Sequence, residues 1–482
     1  MTTALSTPGP LDLYRAIAAA GGRVAARYRL PSVTAVALIV AYFVLRTVDA
    51  DGRAMTAWLV LSGVVAVVSP TVGLIVLAAI APFNEGLLLG RDLGSKSILA
   101  IALLLGVTLR WLVDPGARSR LSAPVVLAAA LLIGSGLGLI RTWQRWGDAF
   151  VELAAQTWMT GVATMLLVFV AAVWVARRGD LRPVAVALVA TTVAGFISLV
   201  DYTSNAQLRE SLLGWTIAGP FFPGRLTGVI RSPTSTAALV MLPTMVFVAA
   251  ALVPGLDRRM RAGAALLTVP LLLAAYLTYN RTVFLALFAL AVIVGWRIRR
   301  WLGVSLLVAG LALGAVFVPW YLSLRGEALG SVSQVPAGQV LIASDVQRVT
   351  AWGAASRMFL DEPIVGQGYR AYRQLSIEFG DPVLNAPHNE WLRFFAEHGA
   401  IVGVLGASFA VVTSIRLARR PGWLETGILA AFVSACLAAS FNNVFLFNQV
   451  MIPAMILAGT GVALARAGSP LGQPPEPTGV DD

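Results

Sequence analysis

Apolar runs separated by short polar stretches dominate this chain. Fourteen fall at about 31–48, 54–69, 71–83, 96–113, 123–140, 157–176, 183–200, 233–254, 262–279, 282–296, 301–322, 390–415, 423–440 and 448–465. Most approach the roughly 17–25 residues that a helix needs to cross a bilayer core. Arginine clusters at 23–29, 110–120, 177–182, 258–261, 297–300 and 416–420 occupy every second gap. Positive charge collects on the cytoplasmic side of a membrane protein, so both termini are expected there. The pattern predicts an all-α polytopic membrane protein of about 14 transmembrane helices (12–14), with a large extracytoplasmic loop containing short helices. Residues 1–30 then form a cytoplasmic N-terminal segment and 31–466 the transmembrane domain. The Pro/Gly-rich tail 467–482 is expected to be cytoplasmic and disordered.

The stretch 262–296 tests this register, because only Tyr279-Asn280-Arg281-Thr282 interrupts it. One helix of that length would measure about 52 Å, against a hydrocarbon core of about 30 Å. Arginine clusters flank both ends. It therefore reads as a hairpin with Arg281 at its outer tip.

The longer polar segments, 141–156, 201–232 and 323–389, all fall on the extracytoplasmic face. The last begins with a flexible stretch containing Gly326 and continuing from Gly330 to Gly338. Ser344-Asp345-Val346-Gln347 then carries a capping-box signature that opens a helix. Arg348, Trp352, Ala355 and Phe359 share one stripe of that helix. Its end is predicted at Asp361-Glu362-Pro363, since proline disfavours helix in the residue before it. Gly366-Gln367-Gly368-Tyr369 makes a turn. The plainest reading is a lid helix on the membrane surface, anchored by Trp352 and Phe359.

Composition narrows the class further. Of 482 residues, 58% are apolar and 12% charged, and the mean hydropathy is +0.79. Soluble domains average about 45–50% apolar and about 25% charged, so a single soluble domain is excluded. No cleavable signal peptide is visible ahead of the first run. The net charge of +12 follows from topology and implies membrane lipids rather than nucleic acid as partners. A single cysteine, Cys436, excludes a disulfide framework and cysteine-built metal sites. With only His388 and His398 as histidines, no metal and no cofactor are expected.

Arginines on the outer face oppose the topological rule and need a reason. Arg225 and Arg231 lie in 201–232, Arg281 at the hairpin tip, and Arg348, Arg370 and Arg373 in 323–389. Two ligands remain open. One is anionic lipid head groups; the other is a diphosphate, which the planar guanidinium fork binds bidentately. His388 sits at the outer boundary, just before a run, and imidazole takes or gives a proton near neutrality. His398 is rotated about 80° from it and lies about 15 Å along the helix, which suits a structural role. Glu390, Arg393 and Glu397 form a polar stripe entering the membrane, read most simply as an ion pair that orients the helix.

Four places in order resemble the O-antigen ligase and polymerase superfamily of bacterial membrane glycosyltransferases. Gly224-Arg225-Leu226-Thr227-Gly228 with Ser232-Pro233-Thr234 is similar to its Arg-x-x-Gly stretch. Thr278 to Thr282 is similar to its hairpin tip. Arg348 to Trp352, Asp361-Glu362-Pro363 and Gly366-Gln367-Gly368 are similar to its loop helix and turn. Pro387-His388-Asn389 with Gly399 is similar to its His-Asn signature, although Gly403 stands four positions on and no Thr follows. Ligase and polymerase therefore both stay open.

The resemblance implies transfer or polymerisation of glycan from a polyprenyl (undecaprenyl-type) diphosphate carrier onto a glycan or glycolipid acceptor. The reaction would be inverting and metal-independent, at the extracytoplasmic face of the bacterial inner membrane. It implies His388 as general base, with Arg281 and Arg225 also catalytic. Arg231, Arg348, Arg370, Arg373, Asn389 and Trp352 would bind substrate. The rival class is a transporter or lipid-linked glycan flippase, which predicts repeats and charges at mid-membrane.

Overall fold

A computed structural model describes residues 31–46, 52–83, 94–113, 121–204, 225–230, 232–329, 340–382 and 386–465, with backbone alone at 317–329, 340–346 and 446. The expected segments 1–30 and 467–482 lie outside the described residues. Every described element is helical: α1 (Pro31–Arg46), α2 (Arg53–Val68), α3 (Pro70–Ile80), α4 (Ser95–Val113), α5 (Ala123–Trp146) and α6 (Asp148–Ala176), the last with a π turn at Met159–Ala163. There follow α7 (Arg182–Thr203), α8 (Pro233–Leu252), α9 (Arg258–Leu277), α10 (Thr282–Ile298), α11 (Arg300–Leu329) and α12 (Val340–Asp361). The last are the one-turn α13 (Tyr372–Leu375), α14 (Glu390–Ala418), α15 (Trp423–Ala439) and α16 (Asn448–Leu464).

Each of the fourteen apolar runs falls on one apolar helix. Seven of these helices, α4 to α9 and α14, are long and apolar enough to cross a membrane, and seven shorter apolar helices accompany them. The interior is built from helices apolar on every side. Almost all of α3, α16, α8 and the second half of α6 is buried. Outer helices instead expose apolar ridges at helical spacing: Val33, Val36, Val40 and Val44 on α1, and Leu266, Val269, Leu273 and Tyr276 on α9. Such ridges would be a liability in water and suit a surface facing lipid. This is a membrane protein.

Contacts at the helix ends bring several arginine-bearing ends against their neighbours. Arg182 donates to Ser32 Oγ at 2.8 Å, Arg297 donates to the Ala418 carbonyl at 2.7 Å, and Trp423 closes on Gly255. At the opposite face Arg141 pairs with Glu362 at 2.8 Å, and Leu226 N–H donates to the Leu277 carbonyl at 2.9 Å.

Several boundaries depart from the sequence pattern. The segment 141–156 is helical rather than a loop, because α5 runs on to Trp146 and α6 begins at Asp148 after one left-handed residue, Gly147. The helix α11 continues past 322 to Leu329. The helix α12 starts at Val340, ahead of the capping signature, since no glycine or proline breaks the chain between Gly338 and Ser344. It ends at Asp361 as expected. The hairpin 262–296 forms, but its arms diverge: α9 packs chiefly on α8, and α10 on α11 and α15.

Candidate functional site

The hairpin tip is the anchor of the site. Asn280 accepts from the Thr282 N–H at 3.1 Å and from its hydroxyl at 3.0 Å, which starts α10 directly after the turn. Arg281 stands exposed at that helix start. The irregular stretch 225–230 is tied across the tip. Besides the Leu226–Leu277 bond, Val229 N–H donates to Ser198 Oγ at 3.2 Å and Thr236 donates to the Thr227 carbonyl at 2.6 Å. Gly228 is required here: its φ is +58°, and a Cβ would lie 2.4 Å from Ser198 Oγ. Arg225 is thereby laid over the tip, its Nε donating to the Thr278 carbonyl at 2.9 Å.

The helix α12 supplies a third arginine. It is not an isolated lid on the membrane surface: Ala351, Ala354, Ala355 and Met358 form a small core of their own with Tyr372, Leu375 and Ala396. The expected anchors meet protein rings, Phe359 against Phe395 at 5.6 Å and Trp352 against Phe441 at 6.2 Å. That packing places Arg348 within electrostatic reach of both Arg225 and Arg281. Burial first, then the neighbouring arginine charges, pull the Arg225 and Arg348 pKa values below the ordinary guanidinium value. Arginine nonetheless stays cationic in proteins. Three guanidiniums from three distant segments thus create one locally positive region, the arrangement that favours an anion.

His388 borders this region. Burial, then the Arg348 charge, push its pKa below the ordinary imidazole value, while Asp381 opposes them. A lowered pKa leaves the imidazole neutral at pH 7, able to accept a proton. Its backbone has φ +49°; among the described residues the other non-glycine positions with positive φ are Tyr279 (φ +50°) and Arg370 (φ +67°). Such conformations persist where surrounding structure over-determines them, and they concentrate at functional sites. Here all three lie at or beside the candidate residues.

Asp381 and Tyr372 carried no signal in the sequence. The Tyr372 hydroxyl donates to Asp381 Oδ2 at 2.6 Å, and Asp381 N–H donates to the Ser376 carbonyl at 2.7 Å, fixing a buried carboxylate near His388. Burial and the Asp381 carboxylate both push the Tyr372 pKa up, so the phenol remains a donor.

The remaining candidates are distributed. Arg370 couples to Arg373 and to Glu397 rather than to the Arg225–Arg281–Arg348 trio, and it reaches the Leu153 carbonyl at 3.4 Å. Of the outer-face arginines among the described residues, Arg225, Arg281 and Arg348 lie within electrostatic reach of one another. Arg231 lies outside the described residues. Asn389 caps α14, accepting from Leu392 N–H at 3.1 Å. Arg393 pairs with Glu390 at 2.6 Å and stands 3.9 Å from Glu397, all buried, as the ion-pair reading expects. Glu397 also accepts from Tyr372 N–H at 3.3 Å, which ties the loop to the helix. His398 is packed between the Tyr369 and Phe394 rings at 5.3 Å from each. Among the described residues no group of three His, Cys, Asp or Glu side chains is placed to hold a metal.

The loop is also locked by its backbone. The helix α14 is broken at Gly399 (φ +73°). Gln367 and Gly368 N–H groups donate to the Ala396 and Glu397 carbonyls at 3.0 and 2.9 Å, and Ala400 N–H donates to the Pro363 carbonyl at 2.7 Å. A Cβ at Gly399 would stand 2.1 Å from the Ile364 oxygen. We expect Gly399→Ala to cost at least about 1–3 kcal/mol from backbone strain alone. A drop in the thermal midpoint of the detergent-solubilised protein would register it; a wild-type midpoint would show that the break is dispensable.

Residues 265–407 match the family model described as O-antigen ligase. The match runs from α9 into α14 and supports membership of the O-antigen ligase and polymerase superfamily. Arg281, Arg348 and His388 fall inside it and Arg225 outside. No curated protein matches the chain.

Proposed function

We propose that this protein is a membrane glycosyltransferase that transfers or polymerises glycan from a polyprenyl diphosphate carrier onto an acceptor glycan at the extracytoplasmic face. The observation that carries the reading is the convergence of Arg225, Arg281 and Arg348 beside a neutral His388. In this reading all fourteen apolar helices cross the bilayer, and the arginine-rich face is cytoplasmic. The lipid tail of the donor lies along the membrane-exposed helices, and its diphosphate meets the three guanidiniums.

The acceptor hydroxyl attacks the anomeric carbon and the bond from that carbon to the diphosphate oxygen breaks, with inversion. His388 takes the hydroxyl proton. The polyprenyl diphosphate leaves with the electron pair, and the arginines stabilise the charge that develops there. Asp381 stabilises the imidazolium once it forms. Arg370 and Arg373, whose charges are set apart from the trio, are assigned to the glycan portions of the substrates, together with Arg231, Asn389 and Trp352.

A deletion strain tests this directly. Carrier-linked oligosaccharide should accumulate on the extracytoplasmic leaflet, and the mature glycan should be lost. Accumulation confined to the cytoplasmic leaflet would overturn the proposal in favour of a flippase.

A further inference from the structure

The turn that joins α12 to α13 sits low against the bundle, and two helices measure its depth. The helices α5 and α14 run antiparallel, with Gly138 against the His398 ring, Gly134 against Val402 and Gly406 against Leu131. The turn is bonded to both. Tyr369 N–H donates to the Gly138 carbonyl at 3.4 Å, and Ala400 N–H donates to the Pro363 carbonyl at 2.7 Å. No charged residue lies between Ala123 and Ile140 or between Gly399 and Ile415. At the helical rise, Gly138 stands about 22 Å along α5 from Ala123, and Ala400 about 24 Å along α14 from Arg416. A hydrocarbon core of about 30 Å that begins at those far ends therefore extends about 6–8 Å beyond both bonding points. Tilting either helix only places them deeper. Arg141, one turn beyond Gly138, pairs there with Glu362 at 2.8 Å, as a charge near the membrane boundary requires.

The chemistry of the turn suits that depth. Leu360, Ile364 and Val365 leave 72%, 64% and 53% of their surface uncovered, and Pro363 is exposed beside them. They adjoin Ile401, which directly follows Ala400 and is exposed on the ridge of α14. Irregular backbone at membrane depth has to find its partners within the protein. Gly366 N–H donates to the Glu362 carbonyl at 3.0 Å, alongside the Gln367 and Gly368 bonds to α14. The turn that follows differs: Arg373, Gln374 and Glu378 are exposed there, as suits water.

We propose that residues 360–365 form a wedge inserted in the lipid leaflet on the candidate-site side, with Leu360, Ile364 and Val365 among its acyl chains. The wedge fixes the depth of the C-terminal end of α12, the helix that carries Arg348. The inference rests on the membrane class of the protein and not on the proposed glycan transfer.

Fluorescence quenching of the full-length protein in phosphatidylcholine nanodiscs tests the wedge. An environment-sensitive probe is attached at Val365→Cys, Ile401→Cys or Glu378→Cys in a Cys436→Ala background. Ile401 is the lipid-facing reference and Glu378 the water-facing one. The Val365 probe should emit to the blue of the Glu378 probe. A nitroxide on the acyl chain near the head group should quench it as strongly as the Ile401 probe, and aqueous iodide should spare it. Iodide quenching equal to that at Glu378 would place the turn in water and overturn the wedge. Protection from both quenchers would reveal a protein cover, such as a second copy of the chain, and would overturn it as well. Ile364→Cys, with the same expected result, decides the matter should Val365→Cys fail to fold.

Discussion

His388→Ala is expected to lower glycan transfer by roughly 10²–10⁴-fold, the usual contribution of a positioned general base, while the protein still inserts and purifies. The residue stands beside Arg348 and feels the Asp381 charge, at a strained backbone position with φ +49°. Assays of the detergent-purified variant with a defined polyprenyl-diphosphate donor measure the effect, and wild-type turnover would end the base assignment. His398→Ala should act on stability instead, because that ring is buried among aromatics. The pH profile provides an independent check. As pH falls, a base whose pKa is depressed stays deprotonated until the lowered value is reached. The acidic limb of kcat/KM should therefore lie below the ordinary imidazole value of about 6.5. Asp381→Asn removes the charge that raises His388, and should move that limb further down.

Arg281→Lys should insert normally yet lose about 10²–10³-fold in transfer, the scale expected when one preorganised donor to a developing anion is removed. Arg281→Ala should lose at least as much. If Arg281 served only as a membrane anchor, lysine would replace it, since either side chain snorkels to the interface. Lysine offers a point charge without the bidentate fork. The tip position makes this a sharp comparison: Arg281 is exposed at the start of α10, and its charge is felt by both Arg225 and Arg348. The same substitutions at Arg53, at the start of α2, should change little. Wild-type turnover by Arg281→Lys would show that this position anchors the hairpin and does not clamp a diphosphate.

Parts of the site were legible because single residues carried their meaning locally. Arg281 interrupts an apolar stretch at the one place where the chain has to turn. Pro387-His388-Asn389 stands before a helix start, and Asn389 does cap that helix. Asp381 and Tyr372 were invisible, since an acid after a glycine and a tyrosine in a turn occur in any loop. Their roles come from a 2.6 Å hydrogen bond made within the folded loop. The stripe Arg348–Trp352–Ala355–Phe359 identified a real helix but not the side it buries. Of the residues that enter its core, Ala351, Ala354, Ala355 and Met358, the three alanines are small enough to seem neutral in a hydrophobicity pattern, yet small residues permit close helix packing.

What the sequence determined by itself is the helical membrane class. Apolar runs of span length have to satisfy their backbone hydrogen bonds within the segment in lipid, which a helix does. Which arginines come within reach of one another was decided only by tertiary structure. Arg225, Arg281 and Arg348 are separated by more than fifty residues each, and they come within electrostatic reach because the 225–230 stretch is hydrogen-bonded across the hairpin tip while α12 packs through its alanines. Arg370 and Arg373 have the same chemistry and sit in the same loop as Arg348. The turn that holds them is bound instead to the broken end of α14, and that backbone pairing directs their charges elsewhere.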